Sequence, residues 1–329
     1  MRPDVLLAPQ AIAGRCGGPL LAGSARSCLA AAGSARSFAA AAFLGSCSMV
    51  VGCGQPPPKS QFPTADDALG RMHDSYACTV GVRGTAKVDL IAKKGRIKAE
   101  VDLTAVNPES VRFDVTTPVV FSQLYTLTSD GKDFKFADQE QKQFLFGPAK
   151  ECNLARFTQV PVPPHALVSL LRGEAPVLVH TKEQARISWN EDGYYQLLLQ
   201  SKHAASQEIR LQIPDEDFDK PWKDQRVRVT YVRVAQQARD IYQADLSNHK
   251  STNTSEPLVD EDGLEEPVLP SGPACAAELP RTIRFRVPNT KDDVEFDYSD
   301  TARWNPPLIP GTFDQPVPGG MPKQFVDCK

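Results

Sequence analysis

Three features of the sequence predict a mainly β fold: a curved antiparallel sheet, or incomplete β-barrel, of about ten strands closed by short helices. First, apolar and polar residues alternate strictly from Cys78 to Leu90. The pattern resumes from Ile97 to Ala105 after a turn at Lys94-Gly95. A period of two is a strand signal, and the two runs read as a long hairpin with one dry face and one wet face. Second, shorter runs of the same kind recur to residue 235, with turn residues between them. Third, helical patterning is scarce. It is confined to Thr64–Tyr76, where Ala68, Leu69 and Met72 share a face, and to an apolar stretch from His165, bracketed by prolines at 161–164 and by Gly173.

Taken in order, Asn107-Pro108 ends the second strand, and Val111, Phe113 and Val115 then alternate with Arg112, Asp114 and Thr116 until Pro118. Strands follow at Phe121–Thr128, Phe134–Ala137 and Gln143–Phe146, with Asp130-Gly131 as a hairpin turn. After the second helix, strands resume at 185–190, 194–200, 206–213 and 226–235. Their inward sets are Ile187/Trp189, Tyr195/Leu197/Leu199 and Ile209/Leu211/Ile213. A sheet of this kind either fills its concave face with its own helices or leaves a lined cavity. Residues 247–280 are rich in proline and acidic side chains and read as a linker. Asp260-Glu261-Asp262-Gly263 lacks the ligand set of a calcium loop. Residues 281–329 read as one hairpin, Thr282–Val287 with Val294–Tyr298, and an extended tail. The apolar residues of that tail, Trp304, Leu308, Ile309, Phe313, Phe325 and Val326, are expected to lie across the body.

The first fifty residues read as an address. No acidic residue occurs between Asp4 and Asp66, and an apolar run from Ser37 ends at Cys53. Basic flanks, a short apolar stretch and small residues at the cut describe a secretory signal. The run is too short for a spanning helix. Val50-Val51-Gly52-Cys53 resembles the bacterial lipoprotein box, in which the cysteine is lipidated and becomes the first residue. Leu44-Gly45-Ser46-Cys47 is a rival box. Cys53 is favoured because the polar, proline-rich tether Gly54–Pro58 starts immediately after it. Residues 1–52 are thus expected to be a lipoprotein signal peptide and 53–63 the lipidated cysteine and tether, with a covalent lipid on Cys53 and no other cofactor. The alternative is a low-complexity, alanine-rich leader, in which AGSARS occurs twice, or a working signal that begins near Ala25. Loss of 1–52 removes four basic residues and one acidic residue, which takes the net charge from −3 to −6. Such a balance argues against a nucleic-acid partner.

Four cysteines remain beyond Cys53: Cys78, Cys152, Cys275 and Cys328. In an exported chain an even number suggests two disulfides, and four cysteines allow three pairings. Position in the chain suggests Cys78–Cys152 in the body and Cys275–Cys328 in the tail. No metal site is expected, since there is no CxxC and the five histidines are scattered. No GxSxG, GxxxxGK or GxGxxG occurs, and no carboxylate pair stands apart from surface charge. The sequence does not read as that of an enzyme.

From about residue 64 to 236 the order of parts resembles the LolA/LolB-like superfamily, especially LolB-like outer-membrane lipoproteins. The parts are an N-terminal helix, the hairpin GVRGTAKVDLIAKKGRIKAEVDLTA, and then NPESVRFDVTTPVVFSQLYTLTSDGKDFKFAD. The resemblance implies an open barrel over 64–246 whose apolar cavity accepts lipid or lipoprotein acyl chains. It also implies a lipid-anchored protein facing the periplasm at the bacterial outer membrane. In LolB-like acceptors a loop at the place of Pro118, Val119, Val120 and Phe121 carries an exposed apolar residue that contacts membrane or cargo. The same residues can instead begin the next strand and pack inward. The runner-up function is a structural or assembly lipoprotein that docks a protein partner, with the cavity filled by its own side chains.

Overall fold

The computed structural model describes residues 54–93, 95–116 and 123–328. Cys53 and the segment holding Pro118, Val119, Val120 and Phe121 lie outside the described residues. Strands β1 (Gly81–Ala92) and β2 (Gly95–Val106) form the expected hairpin, paired from Gly81↔Val106 to Ala92↔Gly95. Alternation decides their faces. Val82, Ala86, Val101, Leu103 and Ala105 are buried, while Arg83, Lys87 and Asp102 point to solvent. Strands β3 (Ser110–Thr116), β4 (Gln123–Ser129), β5 (Asp133–Asp138) and β6 (Gln143–Pro148) continue the meander. At the β4–β5 turn one carboxylate oxygen of Asp130 accepts the backbone N–H groups of Lys132 and Asp133.

The other half of the sheet is β7 (Ala185–Asn190), β8 (Tyr194–Gln200), β9 (Ala205–Gln212), β10 (Arg228–Gln236) and β11 (Arg239–Ser251). The inward sets expected there are largely buried: Tyr195, Leu197, Leu199, Ile209, Leu211 and Ile213 are each 2% exposed or less. Helix α1 (Ala65–Tyr76) begins at an N-cap in which Thr64 Oγ1 accepts the Asp67 N–H. It turns Ala68, Leu69 and Met72 into the core. Two further helices, α2 (Glu151–Thr158) and α3 (Pro164–Leu171), join the halves of the chain. Helix α3 packs against β2 and β3, and α1 against β7.

The two half-sheets meet through the segment that reads as a C-terminal appendage. Strands β12 (Glu278–Val287) and β13 (Asp292–Tyr298) stand at the centre, β12 against β11 and β13 against β1. The neighbour order, completed by β15 (Lys323–Phe325), is β15-β6-β5-β4-β3-β2-β1-β13-β12-β11-β10-β9-β8-β7, with β14 (Arg303–Trp304) beside β1. The sheet does not close into a barrel. Residues 281–329 are therefore not a separate hairpin and tail. Without them β1 and β11 would each present a bare edge of unpaired backbone groups.

The stretch 247–280 is likewise not a free linker. Its first residues extend β11 and its last belong to β12. Thr254 pairs with Trp304, and Thr254 Oγ1 accepts the Cys275 N–H at 2.8 Å. Between them Leu258 and Val268 exchange two backbone hydrogen bonds at the base of a protruding acidic finger. The chain end is extended, as its prolines require. Trp304 is fully buried, and Asn305 uses all its amide capacity. Its oxygen accepts the Val80 and Gly81 N–H groups and its nitrogen donates to the Cys78 and Pro273 carbonyls. Met321 then packs on Ala137 and Phe144, and β15 runs parallel to β6. Gly147 permits this approach, because a Cβ there would collide with the Val326 carbonyl. Of the apolar tail residues, Ile309 and Phe325 remain exposed.

The disulfides are Cys78–Cys275 and Cys152–Cys328, which corrects the pairing inferred from position in the chain. Sheet order brings the approaches to β1 and β12 together, and the tail returns to α2. Non-reducing peptide mapping should recover these two pairs. Closing loops of 197 and 176 residues, each bond is worth about 5 kcal/mol in chain-entropy terms. A Cys152→Ser/Cys328→Ser chain should therefore melt well below the parent.

Candidate functional site: an apolar cavity under a short helix

Successive strands are antiparallel, so the turns β1–β2, β3–β4, β5–β6, β8–β9, β10–β11 and β12–β13 all lie at one end of the sheet. The opposite end is sealed by polar ties. The buried guanidinium of Arg172, just past α3, donates to the Thr79 carbonyl, to Thr79 Oγ1 and to Asn107 Oδ1. Asn305 and Trp304 close the same end from the tail. Any opening into the core therefore lies at the turn end, called the mouth below.

A cavity of about 50 Å³ lies there. Its walls are inward side chains of the central strands, among them Leu90, Val101, Phe113, Tyr125, Leu127 and Phe296, and its cover is Phe157 and Thr158 of α2. Among the described residues the lining holds no carboxylate, amine or imidazole. Burial pushes the Tyr125 phenol above its ordinary value, so it stays neutral. Such a surface takes apolar groups out of water.

Phe157 sets the size of the space. Its ring stacks on Phe136 with centroids 4.1 Å apart and lies 5.5 Å from Phe134. Eight residues are too few for a helix to stand alone, and Lys150 at the N-cap makes no side-chain cap. Tertiary ties hold α2 in place. Asn153 Nδ2 donates to the Pro148 carbonyl at 2.9 Å, Lys150 pairs with Asp327, and Cys152 is bonded to Cys328. The chain leaves α2 through Gln159 in the left-handed region, φ 57°. On its far side is a second cleft of about 450 Å³, walled by Pro161, Pro163, Leu178, Ile241 and Tyr242 and fringed by Glu151, His165 and His203. Burial raises both the Tyr242 phenol and the Glu151 carboxyl, against their charged forms.

Sequence reasoning missed α2. Eight residues between Pro148 and Pro161 carry a faint helical signal, Leu154 and Phe157 three apart. The strand ends that flank the segment holding Pro118, Val119, Val120 and Phe121 are Thr116 and Gln123, and both lie at the mouth. The residues that follow Cys53 do not. Gln55 donates its N–H to the Glu191 carbonyl, and its own carbonyl accepts the Trp189 indole N–H, so it is fixed at the opposite end. The described neighbours of these two expected sites lie at opposite ends of the sheet, and the sites themselves lie outside the described residues. Among the described residues no helix is long and apolar enough to cross a membrane.

No family model matches the sequence, and no curated protein matches it. Structural neighbours include a LolA-superfamily protein. That protein, from Nitrosomonas europaea, is 13% identical, with 77% of this chain and 98% of that chain covered and a TM-score of 0.44. A domain assigned to outer membrane lipoprotein sorting in Vibrio parahaemolyticus is 10% identical over 76% of this chain and 97% of its own, TM-score 0.42. A DUF1329 family protein from Desulfovibrio piger is 10% identical over 76% and 95%, TM-score 0.46. At these identities the likeness concerns fold alone.

If Phe157 is the side chain that closes the cavity, Phe157→Ala should lower stability by about 2–3 kcal/mol in urea unfolding. That is less than for a fully buried ring, because Phe157 is half-buried. A change near zero would mean that α2 packs only loosely on the sheet.

Proposed function

We propose that the protein binds an acyl chain, of a lipid or of a lipoprotein, between the inner face of the sheet and α2. The observation that carries this reading is the cavity itself: its strand walls are apolar, and its cover is one short helix held by tertiary ties. Burying each methylene of such a chain contributes about 0.8 kcal/mol. The space as it stands, about 50 Å³, holds little more than a methylene or two. Binding therefore requires Phe157 to swing out or α2 to shift. Pro148, the left-handed Gln159 and Pro161 bracket the element that moves.

In this reading the chain is an exported lipoprotein, anchored through a lipid on Cys53 at the periplasmic side of the outer membrane, and it accepts or carries acyl chains. The segment of Val119, Val120 and Phe121, whose described flanks Thr116 and Gln123 lie at the mouth, is the proposed contact with membrane or cargo. With Gln55 fixed at the other end, the mouth points away from an anchor at Cys53 unless the body lies along the bilayer. The small size of the cavity favours the second reading, a structural or assembly lipoprotein whose own side chains fill the space and whose partner is a protein. Neither reading assigns the protein an enzymatic activity.

The two readings diverge in one experiment. Protein purified without its anchor is extracted for endogenous lipid, identified by mass spectrometry, and titrated with an acyl fluorophore. The carrier reading predicts co-purified acyl lipid and saturable uptake, with Phe157→Ala binding more tightly than the parent. Absence of lipid together with no uptake by either protein would leave the partner-docking reading standing.

A further inference from the structure

The charge of this acidic chain is divided between the two ends of its sheet. Five turns at the mouth each carry an exposed cation: Lys93, Lys142, Lys202, Arg239 and Lys291. None of the five forms an ion pair among the described residues, whereas arginines further down the strands, such as Arg233 and Arg284, are paired. The acidic groups in the same turns are largely engaged. Asp138 accepts the backbone N–H groups of Glu140 and Gln141, Asp240 holds Arg233 and Gln243, and Asp293 holds Arg284, which leaves Glu140 and Asp292. The sealed end holds more exposed acid, with Glu191 and Asp192 in the β7–β8 turn and Asp260, Glu261 and Glu265 on the finger, beside the exposed Lys132 and Lys223. Exposed apolar side chains lie among the cations of the mouth: Ile91 at 44%, Ile97 at 57% and Val179 at 87%.

Unpaired cations around exposed aliphatic groups, on a body of opposite net charge, make a surface complementary to an anionic interface that also accepts hydrocarbon. We propose that the mouth rim docks on an anionic lipid surface and orients the opening of the sheet toward it. The acidic end is repelled from the same surface, so the charge separation fixes orientation as well as attraction. A β1 of twelve residues, about 40 Å long at strand rise, keeps the two ends well beyond a Debye length apart. The proposal rests on the rim and stands whether or not the cavity takes a ligand.

The test uses the full chain with Cys53→Ser, so that a covalent lipid cannot mask the rim. Sedimentation is measured at low ionic strength with phosphatidylglycerol–phosphatidylethanolamine vesicles and with phosphatidylcholine vesicles. One variant carries Lys93→Gln, Lys202→Gln and Lys291→Gln. The control carries Lys132→Gln, Lys223→Gln and Lys250→Gln, three exposed lysines away from the mouth. The parent and the control should bind the anionic vesicles and not the zwitterionic ones. Three rim charges lost should weaken partitioning about 100-fold. Unchanged melting and unchanged uptake of the acyl fluorophore would separate this effect from damage to the fold or the cavity. Equal binding by the rim variant and the control would overturn the proposal. So would a parent that ignores anionic vesicles yet binds polyglutamate, since the rim would then serve an acidic protein surface.

Discussion

The pairing of β1 with β13, from Ala86↔Tyr298 to Ile91↔Asp293, is the contact on which the rest of the molecule depends. It joins residues more than two hundred positions apart and makes one sheet of two meanders. On one side of this seam the chain runs outward through β2 to β6; on the other it runs through β12 back to β7. Phe113 and Phe285 both pack on Phe296 of β13, so the seam is where the cores of the two halves become continuous. The Cys78–Cys275 bond and the amide of Asn305 secure the same junction from the sealed end.

The outer edges are managed differently. β6 is covered by β15, and the tail that carries β15 then bonds to α2, so edge protection and the hold on the cavity cover are parts of one strap. β7 keeps the other edge, with the tether residue Gln55 and helix α1 beside it. An open sheet keeps an accessible inner face because its two edges do not meet. Here the space beneath α2 is small, and one aromatic ring decides how small.

The hairpin β1–β2 and the inward sets of β8 and β9 were legible because period-two alternation reports which face of a strand is buried. It does not report which strand is the neighbour. The central place of β12 and β13 was therefore hidden behind an acidic, proline-rich stretch that looks like a boundary and is instead a long crossing between adjacent strands. The disulfides were misjudged for the same reason: nearness in sequence favoured Cys275 with Cys328, while sheet order places Cys78 beside Cys275. Helix α2 was invisible because its stability comes from the strap and not from its eight residues. The charge division at the mouth could be seen only once antiparallel order had assigned each turn to an end.

Native-state hydrogen exchange tests the seam directly. If the C-terminal hairpin is the centre of one cooperative sheet, the amides of β13 and β12 should exchange as slowly as those of β1 and β2 and should respond to denaturant with the same slope. Exchange of β12 and β13 through a separate, lower-energy opening, with β1 and β2 still protected, would contradict the account. The hairpin would then be an appendage after all, and the inner face would belong to a smaller sheet.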